Sequence, residues 1–248
     1  SELRRRAARC EAATCLLVSS AQSGTRARPV VRASQHSLAE LQRGSISSCL
    51  TRGKRGPLAE RAKGEGNKVS CRVLVVTGSP RVGGNSDTLA EVFIEGAQSA
   101  GCEVRRIDAG RAKIAGCLGC NYCFTHEGAC VQQDDMQRFY PDLHWADVLV
   151  YATPLYCFTY PAQLKAFQDR MFCGIAKSFN IPRVGLLLCL EDKDITAADS
   201  LLDTYRRSNA YTHQESIGEV VVNAVFEKGA IAGNPGLEKA RELGASLA

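Results

Sequence analysis

Twelve cysteines occur in the 248 residues, and four of them, Cys117, Cys120, Cys123 and Cys130, crowd into one run spaced C-x2-C-x2-C-x6-C. Thiolates at this spacing can wrap a cubane [4Fe–4S] cluster, with Gly116 and Gly119 letting the backbone fold over it. Two zinc-ribbon pairs suit the run less well, because the second pair is not C-x2-C and no His stands at ligand spacing. A loop of reactive or merely structural thiols is the plainer alternative. The second chemistry-bearing run is Gly78-Ser79-Pro80-Arg81-Val82-Gly83-Gly84-Asn85-Ser86-Asp87-Thr88-Leu89. It joins an apolar stretch to an amphipathic one. The N–H groups and positive dipole end of a helix's first turn, together with the hydroxyls of Ser79, Ser86 and Thr88 and the Asn85 amide, can hold an anion there. Gly83 is followed by Gly84 and Asn85, so the Lys of a nucleoside-triphosphate loop is missing, and glycines at 78, 83 and 84 break the G-x-G-x-x-G dinucleotide spacing. What remains is a hydroxyl-lined pocket for a monophosphate, set against an ordinary helix start capped by Asn85 or Ser86. His36, His126, His144 and His213 form no pattern with a nucleophile, and no paired carboxylates suggest hydrolysis, so no general acid or base is assigned.

These runs need a scaffold, and the segments around them supply one. From Cys71 onward, short runs rich in Val, Ile and Leu alternate with segments of helical period, which implies a mostly parallel sheet covered on both faces. The expected strands are Arg72–Thr77, Glu103–Asp108, Asp147–Thr153, Arg183–Cys189 and Glu219–Val225. Asp87–Ser99 puts Leu89, Val92, Phe93 and Ala97 on one helical face, and Ala162–Phe172 does the same with Leu164, Phe167 and Met171. Pro161 suits the first turn of the latter helix. Further helices are expected at Met136–Leu143, where Asp134 and Asp135 complement the dipole, at Ala197–Ser208, and along Leu237, Ala240, Leu243 and Leu247. The alternation predicts an α/β, flavodoxin-like three-layer sandwich with a five-stranded parallel sheet over residues 71–248, its ligand beyond the carboxyl ends of the strands.

Residues 1–70 differ in kind. They hold 14 Lys/Arg against 5 Asp/Glu and no aromatic residue, while 71–248 hold 17 against 21, so a net charge of +5 conceals a basic first part and an acidic remainder. A segment without aromatics rarely builds a core, and 1–70 is expected to be a disordered extension. It reads as an organellar transit segment, a nucleic-acid arm, or upstream sequence not normally translated. No aromatic is interleaved to stack on bases, which counts against the arm. The first Met is Met136, Gly64-Glu65-Gly66 corresponds to purine-rich codons of the ribosome-binding type, and Val69 follows a few codons later, so the native protein is expected to begin near Val69. N-terminal sequencing of protein from its own host checks this; a mature chain starting well upstream of Lys63 removes the idea. No apolar run reaches the ~18 residues of a spanning helix. No membrane or nucleic-acid partner is expected, and the cysteine usage suggests a reducing, cytoplasmic compartment.

The chain resembles the NAD(P)H-dependent FMN reductase family and its iron–sulfur flavoprotein branch. The resemblance rests on G-S-P-R-x-x-G-N-S in the first loop, on P-L-Y at Pro154–Tyr156 followed by P-A-Q-L-K-x-F-x-D-R at Pro161–Arg170, and on E-K-G-A-I-A-G-N-P at Glu227–Pro235. It implies that Ser79, Arg81, Asn85, Ser86 and Thr88 hold the FMN phosphate, that Pro154, Leu155, Tyr156 and Phe158 line the isoalloxazine ring, and that the four cysteines match the cluster arrangement of the branch. It also implies a homo-oligomer. The expected activity is transfer of electrons from NAD(P)H through FMN to a quinone, nitro, azo or metal acceptor. The chain departs from the quinone- and azo-reducing members after its fourth strand, where Cys189-Leu190-Glu191-Asp192-Lys193-Asp194 replaces a glycine-rich loop. Carboxylates there do not favour a nucleotide pyrophosphate, which leaves open a ferredoxin-like donor acting through the cluster, or an FMN-binding redox module that turns nothing over.

Overall fold

The structure, a computed structural model, describes residues 71–247. The basic extension 1–70 and the expected start near Val69 lie outside the described residues. Strands β1 (Arg72–Thr77), β2 (Glu103–Ile107), β3 (Val148–Pro154), β4 (Arg183–Cys189) and β5 (Glu215–Val222) form one all-parallel, five-stranded sheet in the order β2-β1-β3-β4-β5. Helices α1 (Asn85–Ser99), α2 (Tyr122–Thr125), α3 (Tyr140–Trp145), α4 (Ala162–Arg170), α5 (Asp199–Thr212) and α6 (Pro235–Ala245) accompany it. This is the flavodoxin-like sandwich. Among the described residues no helix is long and apolar enough to cross a membrane.

Strands β1, β3 and β4 are almost continuously apolar because each face carries a layer of helices, while the edge strands β2 and β5 carry Glu103, Arg105, Arg106, Glu215 and Glu219. Leu74, Val76, Leu149, Tyr151, Leu186 and Leu188 meet Leu143 of α3, Leu164 and Phe167 of α4, and Leu201 and Tyr205 of α5. On the opposite face Val73, Val75, Val148, Val150, Leu187, Val220 and Val222 meet Leu89, Phe93 and Ala97 of α1 and Ala240 of α6. Each such fully buried side chain stabilises the fold by roughly 1.5–3 kcal/mol relative to exposure. The sheet is therefore a rigid platform for the loops at its carboxyl edge.

Helices α1 and α6 approach backbone to backbone. A Cβ on Gly96 would stand 2.2 Å from Arg241 O, and one on Gly244 would stand 2.3 Å from Phe93 O. Gly244→Ala must push the helices apart and is expected to cost about 1–3 kcal/mol, the range for overpacking. Thermal denaturation checks this; an unchanged Tm would show that the helices separate freely.

Several element boundaries differ from expectation by a few residues; α5, expected at Ala197–Ser208, runs from Asp199 to Thr212. The fifth strand begins at Glu215 and ends at Val222 instead of spanning Glu219–Val225. A register shift between Val184 and Gly185, with Gly218 at φ +143°, lets Glu215 and Ser216 pair with Arg183 and Val184. Asn223-Ala224 then leaves the sheet, Ala224 at φ +59°, so Val225 is buried in a loop. The helix expected at Met136–Leu143 is a 3-10 turn, Asp135–Arg138, followed by α3, which has Pro141 in its first turn. The α4 helix stops at Arg170 and continues as a 3-10 turn over Met171–Ile175.

Candidate functional site

At the carboxyl ends of β1, β3 and β4 a cleft of about 300 Å³ opens between the two loops singled out above. Ser79, Arg81, Asn85 and Ser86 line it from the first loop and Pro154, Leu155 and Tyr156 from the second. Cys189, Leu190 and Glu191 after β4, and Val225, Phe226 and Lys228 after β5, complete the wall. Backbone bonds continue the strand pairing into these loops: Gly78 N donates to Ala152 O at 2.8 Å, Leu155 N to Cys189 O at 2.8 Å, and Leu190 N to Val222 O at 2.9 Å. The cleft is thus fixed by the sheet itself.

The first loop is held from below by a buried carboxylate that the sequence reading did not single out as part of the site. Asp87 is 1% exposed and accepts from Gly83 N at 2.9 Å, Arg106 Nη2 at 3.0 Å and Arg111 Nη1 at 3.3 Å. Arg106 Nε also donates to Asp108, which accepts from Thr77 Oγ1 and pairs with Arg111 Nη2 at 2.6 Å as well. Burial would raise the Asp108 carboxyl, but hydrogen bonds from Arg106, Thr77 and Arg111 outweigh it and lower its pKa. Gly110 presses against the loop from the side, since a Cβ there would stand 2.4 Å from Ser79 O. The loop is therefore set before any ligand arrives.

The expected phosphate and ring residues fall into three groups. Ser79 and Ser86 are buried in the cleft wall, and Ser79 Oγ accepts from Arg81 N at 3.1 Å. Asn85 neither caps the helix nor offers its amide to the cleft. Its Nδ2 donates to Val225 O at 3.2 Å and Glu227 O at 2.8 Å, while its Oδ1 accepts from Gly229 N at 3.0 Å and Ile231 N at 3.4 Å. Two donors and two lone pairs are the whole capacity of a carboxamide. Gly84 occupies the N-cap position, with no side-chain cap. Thr88 and Phe158 do not line the cleft: Thr88 Oγ1 turns back to Gly84 O at 3.3 Å, and Phe158 is 63% exposed, its carbonyl accepting from Ser200 Oγ. Phe226 and Cys157 line the cleft in addition.

Two cations stand at the cleft without a carboxylate partner among the described residues, Arg81 and Lys228. Arg81 lies over the Phe226 ring at 5.8 Å, and Lys228 Nζ sits 3.3 Å from where a Cβ on Gly83 would be. Glu191 is the acidic residue that reaches the wall. Asp192 and Asp194 instead accept from Asp194 N and Thr196 N and shape the turn. Burial pushes the Cys189 thiol up to about 12, which leaves it protonated and inert. Two hydroxyls, two uncompensated cations and an apolar wall suit a flat apolar ring that ends in a phosphate, so these residues fit FMN.

Away from this cleft, Cys117, Cys120, Cys123 and Cys130 ring a second cavity with Arg170, Phe172 and Cys173. The loop reverses through Gly119 at φ +62° and Asn121 at φ +58°, and Gly119 N donates to Cys117 Sγ at 3.5 Å. Burial, together with the neighbouring Cys117, Cys130 and Cys120, raises the pKa of the Cys123 thiol; its own backbone N–H only partly offsets this. Thiols that discourage one another's ionisation release their protons when a cationic group binds them. Among the described residues no three His, Cys, Asp or Glu side chains stand close enough to bind one metal ion together. The four thiols line one small cavity of about 20 Å³ together, and four thiolates are the donor set of an iron–sulfur cluster. Asp134 does more than complement a dipole: it accepts from Met136 N, from Ala115 N and from the buried Arg170. Burial opposes ionisation of Asp134, yet these bonds prevail and lower its pKa. The four cysteines fit an iron–sulfur cluster, and the pairing of Arg170 with Asp134 fixes the inner wall.

Residues 71–206 match the family model described as NADPH-dependent FMN reductase. The chain is 33% identical over 121 residues to an iron–sulfur flavoprotein of Methanocaldococcus jannaschii, covering 48% of this chain and 61% of that one. It is 33% identical over 118 residues to an iron–sulfur flavoprotein of Methanosarcina thermophila, covering 47% and 61%. The matched part is thus less than two thirds of the length of these relatives. Among solved structures, an NAD(P)H:quinone oxidoreductase from Methanothermobacter marburgensis superposes with TM-score 0.61 at 18% identity, over 72% of this chain and 96% of that one. An FMN-dependent NADH-azoreductase from Bacillus anthracis, solved with FMN, gives TM-score 0.53 at 14% identity over 71% and 99%. These structures share the fold.

Proposed function

The chain belongs to the NADPH-dependent FMN reductase family, and from that premise we propose that it is an oxidoreductase that holds FMN in the cleft at the carboxyl ends of β1, β3 and β4. The observation that carries this reading is the meeting of the two loops in one cleft, whose wall combines the buried hydroxyls of Ser79 and Ser86 and the cations Arg81 and Lys228 with Leu155, Tyr156 and Phe226. FMN, when bound, supplies hydride and one-electron chemistry; the chain supplies position and electrostatics. Ser79 and Ser86, with the backbone of α1's first turn, bind the phosphate. Arg81 and Lys228 neutralise it, and Pro154, Leu155 and Tyr156 seat the ring. The electrons come from NADH or NADPH and pass to a small acceptor of the quinone, nitro, azo or metal class, in a cytoplasmic homo-oligomer. Protein purified under anaerobic conditions is expected to carry FMN and to oxidise NAD(P)H when a quinone is added. A colourless protein that does not quench added FMN fluorescence overturns the reading.

Lys228 gives a sharper check of the phosphate end. Lys228→Ala is expected to weaken FMN about tenfold, or about 1.4 kcal/mol, with riboflavin affinity unchanged because riboflavin has no phosphate. Fluorescence titration with both flavins measures this. Equal losses for both would move Lys228 away from the phosphate.

A second reading has its own support in the ring of four thiols. In it the chain is an iron–sulfur flavoprotein whose [4Fe–4S] cluster, held by Cys117, Cys120, Cys123 and Cys130, exchanges electrons with a ferredoxin-like protein. Glu191 in the cleft wall disfavours a nucleotide pyrophosphate and points the same way. Iron and acid-labile sulfide in the anaerobic protein, with reduction by ferredoxin but not by NADPH, distinguish this reading from the first.

A further inference from the structure

Among the described residues one buried side-chain nitrogen or oxygen has no hydrogen-bond partner, and it is Arg170 Nε. The rest of that guanidinium is firmly held. Nη1 donates to Asp134 Oδ2 at 2.6 Å and to Ala115 O at 3.1 Å, and Nη2 donates to Gln132 O at 3.4 Å. The side chain is 1% exposed, and Arg170 belongs to the wall of the cavity ringed by Cys117, Cys120, Cys123 and Cys130. Its backbone carbonyl accepts from Tyr140 OH at 3.3 Å and from Cys173 Sγ at 3.4 Å, so the fifth thiol at the cavity is engaged by the same residue. Buried charged donors are not left unpaired without a reason. A donor that finds no oxygen in the protein, in a wall that carries five cysteines, suits a sulfur acceptor inside the cavity.

We propose that Arg170 sets the reduction potential of the group the four cysteines hold, by presenting its Nε–H and a desolvated positive charge to that group; this rests on the iron–sulfur reading above. A cluster bound by four thiolates is anionic and gains further negative charge on reduction. A fixed cation in a medium of low dielectric stabilises the reduced form more than the oxidised one. Hydrogen bonds to the sulfurs act in the same direction. One electron enters the group, and no covalent bond forms or breaks at Arg170, which is a positioning residue and not a ligand. Asp134 holds the guanidinium in place, and its own negative charge acts in the opposite sense to that of Arg170.

The charges of the pair make the test decisive. Wild type, Arg170→Gln, Arg170→Lys and Asp134→Asn are purified anaerobically, assayed for iron, acid-labile sulfide and FMN, and titrated potentiometrically. Arg170→Gln is expected to make reduction of the cluster at least tenfold less favourable, a shift of about 59 mV to the negative for a one-electron couple. Arg170→Lys shifts it less and in the same direction, and Asp134→Asn shifts it to the positive. The FMN potential is expected to stay in place. A merely structural role would make the Gln and Asn variants move alike, since both break the same ion pair, and shifts of one sign or none in iron-replete protein overturn the proposal. Where Arg170→Gln does not fold, Arg170→Lys is read against Asp134→Asn by the same criterion. Wild-type protein with FMN but without iron or sulfide overturns the iron–sulfur reading, and this proposal with it.

Discussion

Cys120→Ser is expected to abolish iron retention and leave flavin binding intact. Cys120 is exposed, on the reversing turn between Gly119 and Asn121, and contributes to the wall of the cysteine cavity but not to that of the flavin cleft. Serine replaces sulfur with oxygen at nearly the same size, so stability should stay within about ±0.5 kcal/mol, as at other surface positions. A cluster that loses one of four thiolate ligands exposes an iron to solvent and comes apart, whereas thiols with only a packing role tolerate the exchange. Iron and sulfide per FMN, measured on anaerobic wild-type and variant proteins, decide between these. An iron-replete Cys120→Ser protein would return the cysteine run to the class of ordinary loop thiols.

One short helix connects the two regions. The loop that leads into α4 walls the cleft with Pro154, Leu155, Tyr156 and Cys157, and Arg170 at the helix's last position lines the cysteine cavity. Nine residues of α-helix span about 14 Å. The run P-A-Q-L-K-x-F-x-D-R thus includes the start of the helix, the core contacts of Leu164 and Phe167, and the arginine that faces the thiols. Its spacing is informative because three separate constraints fall on one element.

What the sequence made legible was whatever depends on neighbours along the chain. Apolar runs located β1, β3 and β4, because a strand buried on both faces must be apolar throughout, and the alternation with helical periods located the edge strands β2 and β5, the latter with displaced bounds. The first loop was legible because its strand-to-helix turn carries its own glycines and hydroxyls, and the second through its resemblance to the family. Contacts between distant segments were hidden. Lys228 stands beside Gly83 only because β5 ends at Val222 and the following loop folds back over the cleft. Arg170 is an unremarkable helix-end arginine in sequence and becomes singular only when Asp134, Ala115 and Gln132 enclose it. Asp87 opens the helix expected from the sequence, yet Arg106 of β2 and Arg111 after it make it the support of the first loop. Phe158 stands next to the cleft residues in sequence but not in space, since Cys157 and Phe158 both take positive φ and the tight turn closed by Tyr156 and Thr159 carries the ring away.

Asn85 separates the two kinds of knowledge most clearly, and its replacement should have the second large effect. Motif reading gives it a bond to phosphate; the structure gives it four bonds to the backbone of 225–231. Asn85→Ala strands Val225 O, Gly229 N and Ile231 N, of which those near the surface recover bonds to water, while Glu227 O keeps its bond from Ala230 N. The expected cost is about 2–4 kcal/mol, since an unsatisfied buried group costs roughly 1–3 kcal/mol. Apo-protein should lose several degrees in Tm, at roughly 2–4 °C per kcal/mol for a domain of this size. Release of the loop also removes Phe226 and Lys228 from the cleft, so FMN affinity should fall about 100-fold, more than for Lys228→Ala alone. Asn85→Asp is the stringent companion, because its carboxylate still accepts from Gly229 N and Ile231 N but faces Val225 O and Glu227 O with no proton to donate. A direct phosphate contact predicts a different pair of results: weaker FMN binding with an apo-protein as stable as wild type. Calorimetry of the flavin-free proteins therefore distinguishes a residue that touches the ligand from one that holds the wall, and an unchanged apo Tm in both variants would refute the clamp.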